Sequence, residues 1–167
     1  VATKNTSTGA FTTRMSSGMP DLTGLSISDV ATASTLTLAA DTISVVNYAG
    51  GAACACTLPA ATQGSVVVYA QAKDTTGGTA TLSFDCAGTD AYATGSVIES
   101  RGSSEVTFDT SASGETLLTF TPANAATNLF TTGSMVAFIC YEKGTWHIAS
   151  KMGGAADATT GAFVFAS

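Results

Sequence analysis

Between residues 35 and 150 the chain is built from short runs in which apolar and polar positions alternate. Each run is closed by Gly, Asp, Asn or Pro, at intervals of roughly ten residues. A period of two sends successive side chains to opposite faces of an extended strand, whereas a helix repeats its apolar positions at every third or fourth residue. The runs predict strands near 36–38, 43–47, 53–58, 65–72, 80–85, 96–100, 104–109, 115–121, 135–141 and 145–150. Threonine, valine and isoleucine suit a pleated, half-buried surface because their branched β-carbons are stiff. The expected fold class is therefore all-β, an antiparallel β-sandwich or jelly roll with extended N- and C-terminal arms. Pro122-Ala123-Asn124-Ala125-Ala126 is read as a single helical turn, and nothing else in the body reads as helical.

Turn chemistry supports the strand boundaries. Lys73-Asp74-Thr75-Thr76-Gly77-Gly78 supplies residues that tolerate positive φ, and Glu142-Lys143-Gly144 is read as the short hairpin joining the last two body strands.

Outside this region the pattern changes. Residues 1–34 are rich in Thr, Ser, Gly and Met and sustain no period, so they are read as an extended arm whose apolar segment 22–30 docks on the body or on a partner. Residues 151–167 are read as a tail: a Gly/Ala linker leads to the apolar, strand-like Ala162-Phe163-Val164-Phe165. A free apolar strand invites aggregation, so this tail is expected to add to a sheet edge in its own or a neighbouring subunit. Phe11, Leu22, Leu25, Phe163, Val164 and Phe165 are the candidate contact residues of the two arms. The tetrapeptide Thr8-Gly9-Ala10-Phe11 recurs as Thr160-Gly161-Ala162-Phe163, which is read as coincidence in a chain so rich in Thr, Gly and Ala.

Composition narrows the function classes. Only 11% of the 167 residues are charged and the formal net charge is −6. The six basic residues are scattered, which argues against a phosphate-binding surface and so against nucleic acid as a partner. The longest apolar runs, 65–72 and 135–141, are too short to cross a bilayer as helices, and no membrane is expected as a partner. Val1–Met19 lacks the apolar stretch of a secretory segment, and a start at Val1 fits removal of an initiator methionine.

Candidate chemistry is sparse. The chain carries no G-x-S-x-G elbow, no phosphate loop, no dinucleotide fingerprint and no calcium loop. The single histidine, His147, faces solvent if its neighbours Trp146 and Ile148 face inward. Asp85, Asp90, Glu99, Glu105, Asp109 and Glu115 would be available as paired carboxylates, yet most fall at strand ends or turns, where solvation alone accounts for them. Cys54 and Cys56 share one face of a strand. They are read with Cys86 and Cys140 as buried reduced thiols, with disulfides across neighbouring strands and a zinc site as the alternatives. The chain is accordingly expected to be non-catalytic, with no cofactor and no metal.

Three stretches carry a resemblance: Leu36-Thr37-Leu38-Ala39-Ala40-Asp41-Thr42-Ile43, then Ala55-Cys56-Thr57-Leu58-Pro59-Ala60-Ala61, then Gly64-Ser65-Val66-Val67-Val68-Tyr69-Ala70, with Gly144-Thr145-Trp146 closing the pattern. Together they resemble a module of tailed-phage structural proteins, found in capsid decoration (cement) proteins and in fibre or baseplate parts. The resemblance implies a virion protein on the capsid exterior, made in the host cytoplasm. It further implies contact with the major capsid protein and self-association as a homotrimer. Cys54 and Cys56 stand where Val or Thr would be ordinary. A tail or fibre component and a carbohydrate-binding or adhesion module are the competing expectations.

Overall fold

The structure, a computed structural model, describes residues 2–4, 11–13, 26–30, 35–48, 53–72, 81–101, 106–121, 133–153 and 162–167. These residues form strands and turns, with no helix among them. In chain order the strands are β1 (Ala2–Lys4), β2 (Phe11–Thr13), β3 (Ser26–Val30), β4 (Thr35–Thr37), β5 (Thr42–Val46), β6 (Cys54–Thr57), β7 (Val66–Gln71) and β8 (Leu82–Asp85). They continue as β9 (Ala91–Tyr92), β10 (Val97–Arg101), β11 (Val106–Thr110), β12 (Leu117–Thr121), β13 (Met135–Glu142), β14 (Thr145–Gly153) and β15 (Ala162–Ala166). The ten runs read from alternation all coincide with strands. The turns expected at 73–78 and 122–126 lie outside the described residues.

Two mixed sheets make the body. The larger has the order β11-β10-β14-β13-β7-β5-β3, with β9 alongside β14, and the smaller has the order β15-β12-β8-β6-β4. β1 and β2 form a separate antiparallel pair. From β3 to β8 the chain alternates between the two sheets, so each strand lies parallel to the strand two places earlier: β3 with β5, β5 with β7, β4 with β6 and β6 with β8. From β10 onward antiparallel pairing dominates. The sheets are thus mixed, where a purely antiparallel arrangement was expected. Alternation records which face a residue takes and is blind to the direction of the neighbouring strand, so a chain that crosses to the opposite sheet after each strand reads like one that folds back in hairpins.

The inner faces of both sheets meet in one core. Leu38, Val46, Val67 and Val136 pack there with Leu58, Leu82, Leu118 and the four buried cysteines. Aromatic rings link the layers. Phe84 of the smaller sheet stands edge-on to Tyr69 of the larger, with centroids 5.3 Å apart, and lies 5.1 Å from Phe138. Tyr92 touches Phe138 and meets Phe165 edge-on at 5.3 Å. Such pairs add to the ~1.5–3 kcal/mol that each large side chain gains on burial. The phenols are satisfied. Tyr69 donates to Gln71 Oε1 (2.6 Å), Gln71 Nε2 donates to the Tyr48 carbonyl (2.7 Å), and Tyr92 donates to the Phe84 carbonyl (2.9 Å).

The hairpin between β13 and β14 turns at Lys143-Gly144, with Glu142 paired to Thr145 and Gly144 at φ +83°, the left-handed conformation that glycine adopts without strain.

Candidate interaction surface

Trp146 is fully buried and His147 lies on the opposite face of β14, where its ring rests 4.9 Å from that of Tyr141. Four of the described carboxylates hold backbone amides, while Asp85 and Glu142 are exposed. Asp41, itself at φ +54°, accepts the Val66 N–H (3.1 Å) and ties the turn before β5 to β7. Asp90 accepts the Ala61 N–H (2.6 Å), Asp109 accepts the Phe165 N–H (2.8 Å), and Glu115 accepts the Ala112 N–H (2.5 Å). Three of these four bonds join segments far apart in sequence, and hydrogen bonds to a charged acceptor are worth ~1.5–3 kcal/mol each.

The cysteines are packed, not paired in disulfides. Cys54 and Cys56 point into the core with their sulfurs 4.0 Å apart, and the Cys140 thiol donates to the Glu142 carbonyl at 3.1 Å. Contact with Cys54 and burial push the Cys56 thiol up, and burial raises Cys86 to about 12, so both stay protonated at neutral pH. Burial likewise raises Tyr48 to about 12. Among the described residues no three His, Cys, Asp or Glu side chains gather as a metal site.

The arm residues divide. Phe165 is buried in this chain's own core, because β15 pairs antiparallel with β12 and completes the edge of the smaller sheet. Phe163 and Val164 pair with Phe120 and Thr119 in the same ladder. Phe11 belongs to β2, opposite Lys4, while Leu22 and Leu25 lie outside the described residues. The tail contacts are therefore brought together within one chain, and Phe11 is not part of that group.

Sequence reasoning did not single out the outer face of the larger sheet. Three rows of cross-strand neighbours cover it: Ile43–Val68–Ala137, Val45–Ala70–Met135 and Val66–Ile139–His147. Tyr141, 62% exposed, extends the last row beside His147, and Met135 is 43% exposed. The row through Ala70 continues to Asp29 on β3 and Lys151 on β14, so charge stands at its two ends. On β5 the usual polarity is inverted, since Thr42 and Ser44 are turned inward and buried while Ile43 and Val45 face out. β7 repeats this in part, with Gln71 inside and Val66, Val68 and Ala70 on the outer side, where Val68 is nonetheless buried. Strands that are apolar on both faces are ordinarily covered on both faces. The signal was present in the runs 65–72 and 135–141, which are apolar at nearly every position instead of at every second one.

The chain matches no family model, and no curated protein or solved structure matches it.

Proposed function

We propose that the protein is a structural, non-catalytic component of a tailed-phage virion. In this reading it is a decoration (cement) protein on the outer capsid surface, bound to the major capsid protein as a homotrimer and made in the host cytoplasm. The observation that carries it is a largely aliphatic outer sheet face on a body four of whose carboxylates hold its own backbone. The positions that carry the resemblance to phage modules all serve the scaffold here. Asp41 anchors Val66, Leu58 is buried, Gly64 turns at φ +89°, and Trp146 fills the core. A protein of this kind works by burying apolar and hydrogen-bonding surface across joints between subunits. It needs no cofactor, and neither nucleic acid nor membrane is among its partners. The two mixed sheets are then a β-sandwich platform, and the segment before β3, with Phe11, Leu22 and Leu25, supplies contacts to neighbouring subunits.

A second reading, a tail or fibre component, is favoured by one feature. β3 and β4, consecutive in the chain, are the terminal strands of the two sheets, so parallel coils stop at open edges to which further strands can add. Quantification on purified particles separates the two. Copy numbers that follow the capsid lattice support decoration, and copy numbers that follow the tail support the second reading. Removal of residues 1–20 is expected to leave the body folded and to lower capsid occupancy; unchanged occupancy removes the arm from the mechanism.

A further inference from the structure

We infer that the N-terminal hairpin of one copy of this chain adds to the open end of a second copy, at the free edges of β3 and β4. β1 and β2 are three residues each, and among the described residues they touch each other and no other strand. A two-stranded ribbon of that length is marginal in water and gains stability by joining a larger sheet. Its own body does not supply that sheet, so the ribbon's partner lies outside the chain that carries it. The body has four terminal strands, two of which are taken. β11 and β15 lie against each other, where Asp109 of β11 accepts the Phe165 N–H of β15 (2.8 Å), and this closes one end of the two sheets. β3 and β4, at the other end, have no strand on their outer sides among the described residues, which leaves two edges open to an incoming strand.

Charge matches the hairpin to this end of another copy. Two of the six basic residues, Lys4 and Arg14, and none of the twelve acidic ones fall within residues 1–20, so that segment carries +2 and the rest of the chain −8. Lys4 lies on β1 and Arg14 directly follows β2. At the open end stand Asp29, on β3 itself, and Asp41, next to the Thr42 that pairs with Ser26 at the start of β3. A basic ribbon is drawn to an acidic edge, and every copy carries one of each, so the contact runs head to tail and closes into a ring where the rotation between copies allows. Leu36, in the middle of β4, is only half-buried at this end of the core, and an added strand covers it. The twelve residues between Thr13 and Ser26 give the hairpin a reach of up to ~40 Å. The inference rests on the proposal that the segment before β3 contacts neighbouring subunits, and it names the surface contacted.

The test is sedimentation of the purified full-length chain, joined to amide hydrogen exchange on dilute and concentrated protein. The wild type should associate at micromolar concentration, less so in added salt. Lys4→Glu combined with Arg14→Glu, changes that lie outside the two-sheet body, should weaken association at least tenfold (about 1.4 kcal/mol). Asp29→Lys should weaken it comparably, whereas Asp85→Lys, which alters net charge by the same amount on the outer face of the smaller sheet, should associate like the wild type. On concentration the amides of Ser26–Val30 and Thr35–Thr37 should gain protection while those of β15 stay unchanged. A monomeric wild type, a Lys4→Glu/Arg14→Glu chain that associates unchanged, an Asp29→Lys variant that behaves like Asp85→Lys, or protection that appears on other strands and not on β3 and β4 would each overturn the inference. Those failures leave the virion reading intact, because copy number on particles decides it separately.

Discussion

The outer faces of the two sheets obey the same alternation and carry opposite chemistry. On the smaller sheet the rows are Thr37–Thr57–Asp85–Leu117 and Thr35–Ala55–Ser83–Thr119, a hydroxyl-rich surface that water can solvate. On the larger sheet the central positions of the rows are valine, isoleucine, alanine and methionine, with Asp29 and Lys151 at the two ends of one of them. Inside, both sheets contribute aromatic and aliphatic side chains to a common core. Being half-buried on a strand therefore does not by itself fix polarity.

Raising the pH should break the comparison most completely, because the ionisable phenols and thiols are concentrated on the inner faces. Tyr48 and Cys86 are raised to about 12 from ordinary values of 10.0 and 9.0, and Tyr69, Tyr92 and Cys56 are raised as well, chiefly by burial for the tyrosines and by the Cys54 contact for Cys56. The unfolded chain releases these protons first, so their contribution to stability is full below pH 9 and is lost as the pH climbs toward about 12. Denaturation midpoints measured between pH 7 and 12 should fall over that upper window; a flat profile would mean that these groups are solvated.

Next in size is the shared core. Phe84→Ala from the smaller sheet and Phe138→Ala from the larger should each cost about 3–5 kcal/mol in urea denaturation, since each leaves a cavity between the layers. A loss below about 1 kcal/mol for either would show that its sheet does not depend on the other. Asp109→Ala removes the charged acceptor of the Phe165 N–H and should cost about 1.5–3 kcal/mol, with faster hydrogen exchange at the amides of β15 than at those of β7. The smallest effect is expected on the polar outer face, where Thr57→Val should change stability by no more than about 0.5 kcal/mol. A larger change there would indicate that the hydroxyl face is covered.

The strands of the body were legible because alternation, branched side chains and turn glycines agree over the same short runs. The inward placement of Trp146 and the outward placement of His147 followed from parity alone. Strand direction was not legible, because Thr42–Val46 looks the same whether its neighbour runs with it or against it. β1, β2, β3 and β9 are not among the strands that alternation predicts. β9 is two residues long, and Ser26–Val30 sits in a segment without a sustained period, so its pairing with β5 comes from tertiary context. The carboxylates were read as hydrated turn residues, since nothing local announces that Asp109 will meet an amide 56 positions away. The apolar outer face is visible as unbroken hydrophobicity in Val66-Val67-Val68 and around Phe138-Ile139, where parity is masked because both faces of the strand are apolar.

The alternation of β3 to β8 between sheets has one more consequence. Like the outermost turn of a spring, the β3–β4 layer can be peeled away and the next layer, β5–β6, then presents an end of the same parallel geometry. Shortening from this side proceeds by whole layers, each leaving a terminus equivalent to the last, whereas trimming from the other side removes β15 and strips the core of Phe165 at once.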